Sequence, residues 1–217
     1  MDKYAEIIKL FKLEKPVGYS EEELALAREE AGAMPRELEE FYAVLGASPE
    51  LRGLQDALIL PNKYKALLDR EYLIFFNENQ GVCQAAVKKS DADDHNDPDP
   101  PVYASAGNGE WNLSSPHVSE FLRAMFDYQA SICLEFSPEE FYWVTPEEEA
   151  KIARLFPKLG SFDNWLYDWN ITVYGSGGGR IALMHNGDGD IQMNYAANNE
   201  RDFGRMSELL DGIGEPI

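Results

Sequence analysis

A strand–turn–strand pattern in the C-terminal third of the chain constrains its fold more than any other feature. Aromatic and β-branched side chains recur at every second position through Trp165–Tyr174, which is the period of a half-buried strand with an aromatic face. Glycine-containing turns follow at Gly175–Gly179 and Asn186–Gly189, and shorter alternating runs lie at 181–183 and 191–195. Because strands joined by such short turns pair antiparallel, the pattern predicts a three-stranded meander.

Helix signals surround this meander and recur through the rest of the chain. Ser20 with Glu23, and Thr145 with Glu148, have the three-residue spacing of a capping box, and Pro146 suits a first helical turn. Apolar residues also recur at helical spacing. These stripes are Tyr4, Ile7, Ile8 and Phe11; Leu24, Ala27 and Ala31; Leu38, Phe41, Tyr42 and Leu45; Val118, Phe121, Leu122, Met125 and Phe126; Ile152, Leu155 and Phe156; and Phe203, Met206 and Leu210.

The middle of the chain reads as a hairpin that precedes an acidic loop. Leu73–Phe76 is a short apolar run typical of a strand buried on both faces, Asn77–Gly81 supplies a turn, and Val82–Val87 returns as a second strand. The stretch Asp91–Asp99 is too polar to continue that strand. Pro100–Tyr103 then fixes an extended backbone that leads into another strand.

The order of these segments resembles that of the SMI1/KNR4 family, also called the SUKH superfamily. The residues that carry the resemblance are Pro35, Leu38, Phe41 and Tyr42; Asn79, Gln80 and Gly81; Pro101, Val102 and Tyr103; Trp111; and Ser119, Glu120, Phe121 and Leu122. The resemblance spans roughly residues 20–130 and implies an α+β fold, with a mixed or antiparallel sheet and flanking helices. It also implies a binding role: bacterial members are commonly immunity proteins that neutralise toxins, and fungal members regulate cell-wall synthesis.

The C-terminal meander and its helices lie beyond this resemblance. We therefore predict an SMI1/KNR4-like domain at residues 1–134 and an extension of one helix, three strands and a second helix at residues 135–217. The alternative is one continuous domain. Phe136, Phe141, Tyr142 and Trp143 near the junction argue against a free linker.

The charge of the chain excludes some partners and favours others. With 39 acidic and 19 basic residues, the formal net charge is −20, which repels nucleic-acid phosphates and anionic lipid and speeds association with a basic protein. Asp91–Asp99 has five Asp and Glu135–Glu149 has six Glu, both without Lys or Arg. The predicted partner contacts are Asp91, Asp93, Asp94, Asp97 and Asp99, with Glu139, Glu140, Glu147 and Glu148 as secondary contacts.

Signals for cofactors and metals are weak. Gly175–Gly179 with Arg180 lacks the phosphate-loop pattern and lies between two strands. Asn186, Asp188 and Asp190 have the alternate spacing of a calcium loop, but its sixth position is Ile191 and its twelfth is not Glu. The Asp-rich stretch from residue 91 to 97 has ligand atoms for a hard cation, yet a solvated acidic loop is the commoner outcome. We predict no cofactor and no metal.

Catalytic signals are equally sparse. The serines lack a nucleophile elbow, and the carboxylates are too numerous for any two to stand out as an acid–base pair. Cys83 and Cys133 stand in apolar surroundings, which predicts buried free thiols. Two roles are open for the tryptophans: they belong to the core, or they form a platform on which a ligand stacks. They are Trp111, Trp143, Trp165 and Trp169. We predict no catalytic residues and no enzymatic activity.

The pattern of the N-terminal segment predicts the cellular location of the protein. Its apolar residues are interrupted by Lys3, Glu6 and Lys9, so the pattern is that of an amphipathic helix, not a signal peptide, and no apolar run approaches the length of a membrane span. We expect a cytoplasmic, acidic immunity protein that occludes the basic surface of a bacterial toxin, with nucleases as one toxin class. The alternative is a regulatory scaffold resembling the fungal proteins. Oligomeric state, interface and toxin chemistry stay open.

Overall fold

The computed structural model describes residues 3–61, 63, 71–92 and 97–217, and these form helices and two antiparallel sheets. The α+β fold with a C-terminal meander and helix is therefore confirmed. The helices are α1 (Ala5–Leu10), α2 (Glu21–Ala31), α3 (Arg36–Val44), α4 (Pro49–Arg52), α5 (Val118–Cys133), α6 (Pro146–Leu155) and α7 (Glu200–Leu210). The strands are β1 (Ala57–Leu58), β2 (Tyr72–Asn77), β3 (Gln84–Lys88), β4 (Val102–Ser105), β5 (Asn112–Ser115), β6 (Tyr142–Val144), β7 (Lys158–Trp165), β8 (Trp169–Ser176), β9 (Gly179–His185), β10 (Ile191–Ala197) and β11 (Glu215–Pro216).

The chain divides into two compact units. The middle unit comprises Leu13–Leu122 and Asp163–Tyr167. The terminal unit comprises the chain up to Lys12, Arg123–Phe162 and Asp168–Ile217. These are spatial groupings, so the predicted domain boundary after residue 134, which concerns independent folding, stays a prediction.

The middle unit is built on a five-stranded sheet in the order β1-β2-β3-β4-β5. Leu73–Phe76 is buried as the sequence predicts. The ladder between β2 and β3 is irregular between Ile74 and Phe76. This bulge interrupts the alternation of the strand, and Phe75 and Phe76 both lie edge-on to Phe121, with ring centroids 5.7 and 6.1 Å from it.

Local sequence signals fix the helices of this unit. The Ser20 hydroxyl accepts a hydrogen bond from the Glu23 amide while Glu23 accepts one from the Ser20 amide, which is the predicted capping box. Gly32 ends α2 in the left-handed region at φ 80°. The predicted stripe of α3 is fully buried; it consists of Leu38, Phe41, Tyr42 and Leu45.

The terminal unit is built on a six-stranded sheet in the order β11-β6-β10-β9-β8-β7. One set of side chains forms a core cluster with α6 and α7, and it includes Met193 and Tyr195 of β10 together with Ile152 and Met206. Between those two strand residues, Asn194 donates a hydrogen bond of 2.6 Å to the Ser131 hydroxyl on α5. The helices α6 and α7 therefore lie on one face of this sheet and the C-terminal part of α5, within the terminal unit, on the other.

Three sequence expectations are wrong. Trp165–Tyr174 is not one strand: β7 ends at Trp165, the backbone turns through Leu166 and Tyr167 at positive φ, and β8 begins at Trp169. The predicted three-stranded meander of residues 135–217 therefore has four strands, β7 to β10, and β6 and β11 also belong to its sheet. Leu155, expected in a core stripe, is exposed, because it stands at the end of α6. Cys133, expected to be buried, is exposed at the end of α5, whereas Cys83 is a buried free thiol.

Candidate functional site

The predicted acidic loop connects β3 to β4. Asp91 and Asp97 are partly exposed, and Asp93 and Asp94 lie outside the described residues. The Asp91 amide donates a hydrogen bond to the Lys88 carbonyl, which closes the end of β3, and its carboxylate accepts one of 2.9 Å from the Ser90 hydroxyl. The Asp91 carboxylate forms no direct ion pair with a Lys or Arg side chain in the part of the chain that the structure describes.

Asp99 anchors the other end of the loop. One carboxylate oxygen accepts a hydrogen bond of 2.8 Å from the Ser119 amide, and the other accepts one of 2.5 Å from the Ser119 hydroxyl. A carboxylate at the start of α5 is stabilised by the unpaired amides of its first turn. Asp97 in turn accepts a hydrogen bond of 3.0 Å from the Asp99 amide. Asp99 therefore has a structural task, and the exposed charge of the described loop comes from Asp91 and Asp97.

An imidazole also packs against this anchor. The Nδ1 atom of His117 lies 2.9 Å from the Asp99 carbonyl oxygen. That hydrogen bond raises the pKa of His117, and the Asp99, Glu120 and Asp97 carboxylates act in the same direction. His117 thus carries a positive charge over a wider pH range than an isolated histidine, beside the acidic loop.

A half-exposed aromatic cluster stands on the same sheet. Tyr72 stacks on Trp111 with ring centroids 4.6 Å apart, and it meets Tyr103 edge-on at 5.9 Å. The Lys88 Nζ atom lies 4.6 Å from the centre of the Tyr103 ring. Interaction with Tyr103 raises the pKa of Lys88, and the Asp91 carboxylate adds to that effect. Tyr103 therefore makes a cation–π contact near the start of the acidic loop, and Trp111 joins the same cluster through Tyr72.

The second acidic tract contains an outward-facing strand. Phe141 and Trp143 are 43% and 40% exposed, while Tyr142 and Val144 between and after them pack against the core cluster of the terminal unit. Glu139 and Glu140 immediately precede this alternation and are exposed. The sequence analysis identified these aromatic residues but did not predict that two of them are exposed. The alternation in 141–144 was the available signal for two of them facing outward.

Glu147 and Glu148 lie in the first turn of α6 and differ in their surroundings. Glu148 accepts hydrogen bonds from the Thr145 amide at 2.8 Å and from the Gly214 amide at 3.0 Å. These hydrogen bonds lower the pKa of Glu148, and the bond from the Gly214 amide has the largest effect. Its carboxylate completes the predicted capping box. Glu147 is exposed, so the exposed predicted carboxylates of this tract are Glu139, Glu140 and Glu147.

The glycine-rich turn and the Asx-rich turn are hairpin connections. Arg180, after the first turn, is bound to Asp127 and to the carbonyls of Gly177 and Gly179, so its charge is neutralised within the protein. In the second turn, the Asn186 side chain accepts hydrogen bonds from the Asp188 amide at 3.1 Å and from the Asp190 amide at 2.8 Å. Within residues 3–61, 63, 71–92 and 97–217, no group of three or more His, Cys, Asp or Glu side chains is arranged to hold a metal ion.

No family model, curated protein or solved structure matches this chain. The SMI1/KNR4 resemblance therefore depends on the motifs quoted above and stays a prediction. The described helices include none with the length and apolar character needed to cross a bilayer.

Proposed function

We propose that this protein is a non-enzymatic acidic binding protein, and that it is an immunity protein which neutralises a bacterial toxin by covering a basic surface. The observation that carries the proposal is the concentration of carboxylates, within a net charge of −20, into two tracts without Lys or Arg. Among the described residues, Asp91, Asp97, Glu139, Glu140 and Glu147 form no ion pair, although Asp91 and Asp97 act electrostatically on Lys88 and His117. A basic partner would relieve the repulsion among them.

The physics of such a surface favours fast, salt-sensitive association. Opposite potentials on two proteins steer their diffusional encounter, and neutralising rim charges mainly lowers the association rate constant. Toxins that act on nucleic acids need a basic cleft for phosphate, and an acidic protein competes for that cleft. Occlusion requires charge and shape from the inhibitor and no catalytic group, which agrees with the weak catalytic signals of the sequence.

The test begins with capture of the partner from the source cell, followed by purification and measurement of binding rates at several salt concentrations. Replacing all five loop aspartates by Asn removes charge and keeps a side-chain oxygen where Asp97 and Asp99 accept hydrogen bonds. We expect the association rate constant to fall about tenfold at low salt and the salt dependence to weaken. The matched control replaces five exposed glutamates elsewhere by Gln: Glu14, Glu22, Glu29, Glu50 and Glu208.

Three outcomes count against parts of the proposal. Equal association rates for the loop variant and the control would remove the loop from the interface. A captured partner that keeps full toxicity when saturated with this protein would contradict the immunity role. Turnover of a substrate by this protein, abolished by one point mutation that leaves the fold intact, would contradict its non-enzymatic character.

A further inference from the structure

The outward face of β6 continues onto its neighbour β11. Trp143 lies directly opposite Glu215 in the antiparallel register, and the Ile217 amide donates a hydrogen bond of 2.9 Å to the Phe141 carbonyl. Directly opposed residues of antiparallel strands point to the same face, about 5 Å apart. Phe141, Trp143, Glu215 and Ile217 thus form one surface, which we call the β6–β11 patch, and all four are exposed.

Carboxylates adjoin the aromatic side chains of this patch. Glu215 lies within it, and Glu139 and Glu140 directly precede Phe141 in the chain. In the described part of the protein, none of these three carboxylates has a hydrogen bond or an ion pair. Two aromatic side chains exposed by about two-fifths, bordered by unpaired carboxylates, make an apolar surface with a strongly negative rim.

The chemistry of the patch selects its occupant. A neutral apolar partner would strip water from the carboxylates without pairing them, which is unfavourable. An Arg or Lys side chain satisfies both parts of the patch, because its cationic group is attracted to the face of an aromatic ring and to a carboxylate, and its aliphatic stem covers apolar surface. Arg suits the site better than Lys, because its planar guanidinium stacks on a ring and binds a carboxylate with two donors.

We infer that the β6–β11 patch binds an arginine-containing basic segment of a partner protein, with a guanidinium stacked on Trp143 beside Phe141 and paired with Glu215, Glu139 or Glu140. This inference rests on the proposed function in one respect, since that function supplies a basic polypeptide as the partner. It adds a contact surface in the terminal unit to the acidic loop that was predicted in the middle unit.

The first measurement uses the full chain labelled with 5-fluorotryptophan and a short synthetic peptide of alternating arginine and glycine. The chain has four tryptophans, so its ¹⁹F NMR spectrum resolves four sites, and Trp143→Phe identifies the signal of Trp143. During titration at low salt, we expect the Trp143 signal to move and the signal of the fully buried Trp165 to stay. An unmoved Trp143 signal at saturation overturns the inference.

Affinities of variants separate the patch from general attraction by a negative protein. We expect Phe141→Ala/Trp143→Ala to weaken peptide binding about tenfold, whereas Tyr167→Ala, at an aromatic residue that is 63% exposed elsewhere, changes it less than twofold. Glu139→Gln/Glu140→Gln should weaken binding more than the equally charged control Glu22→Gln/Glu29→Gln on α2. Wild-type affinity in the double aromatic variant overturns the inference.

Three further outcomes separate this inference from neighbouring ideas. Equal displacement of the peptide by spermine would identify a site for small polycations and contradict a polypeptide contact. A natural partner that binds the double aromatic variant unchanged contradicts the patch but leaves the proposed function standing. If no basic partner exists in the source cell, the proposed function fails, and the peptide titration still decides whether the patch recognises arginine.

Discussion

Asp127 of α5 and Arg180 of β9 form an ion pair inside the terminal unit, where their side chains are 8% and 7% exposed. Burial raises the pKa of Asp127, and the Arg180 guanidinium opposes that rise. Two buried charges stabilise each other only while both are present. The pair therefore fixes the position of Arg180 at the turn between β8 and β9, where it also holds the carbonyls of Gly177 and Gly179.

We predict that Arg180→Met lowers the free energy of unfolding by about 3–5 kcal/mol at neutral pH, because it leaves the Asp127 carboxylate buried without a counter-ion. Without Arg180, the folded-state pKa of Asp127 rises further above its unfolded value. The folded state then takes up a proton as the pH falls through that pKa, so the variant loses less stability in mild acid than at neutral pH. Urea unfolding at the two pH values measures both effects.

The matched control for this prediction removes both charges. Asp127→Leu/Arg180→Met replaces the pair by apolar side chains, and we expect its free energy of unfolding to lie within about 2 kcal/mol of the wild-type value. A single variant Arg180→Met that is as stable as the wild type at neutral pH would show that the carboxylate finds another partner or water.

At the scale of elements, the turn between β7 and β8 stores conformational strain. Leu166 and Tyr167 have φ angles of 49° and 80°, a region that side chains other than glycine rarely adopt. Tyr167 is 63% exposed, so its side chain contributes little packing in return. We predict that Tyr167→Gly raises the free energy of unfolding by about 0.5–1 kcal/mol, since relief of strain exceeds the extra flexibility of the unfolded chain.

Tyr167→Ala provides the comparison for that substitution. Alanine removes the same ring but keeps the strained backbone, so we expect the Gly variant to be about 1 kcal/mol more stable than the Ala variant in urea unfolding. If alanine stabilises the protein as much as glycine, the exposed ring and not the backbone is the unfavourable feature.

The same turn illustrates which elements the sequence predicts. The capping boxes at Ser20 and Thr145 were predictable because each depends on two residues three positions apart. The turn after Trp165 was not, because its positive φ angles fall on residues that carry no turn signal. Because the alternating pattern of side chains runs across this turn, it predicted one continuous strand.

The candidate site likewise has features that the local sequence predicts and features that depend on the tertiary fold. Sequence composition placed the two acidic tracts, but the tertiary fold decides which carboxylates are engaged. Asp99 binds Ser119, which is 20 positions away, and Glu148 binds Gly214, which is 66 positions away. The pairing of β6 with β11 likewise joins Glu215 to Trp143 without any local signal in the sequence. Such contacts depend on long-range packing, which residue spacing does not encode.

At the scale of the whole molecule, a net charge of −20 on 217 residues acts against the compact state, because folding brings like charges closer together. The same surplus supplies the field by which the protein would attract a basic partner. Salt weakens both effects, since the Debye length falls from about 30 Å at 0.01 M to about 8 Å at physiological ionic strength. Stability and association should therefore respond to salt in opposite directions.

We predict that Tm rises as NaCl is increased from low to physiological concentration. Relief of about 1 kcal/mol of self-repulsion corresponds to roughly 2–4 °C for a chain of this size. Scanning calorimetry at constant pH measures the rise. The five Glu→Gln changes of the control variant described above move the net charge from −20 to −15, so that variant should show a smaller rise. A Tm that is unchanged or falls with NaCl would mean that local ion pairs such as Arg28–Glu39 contribute more to stability than the net charge takes away.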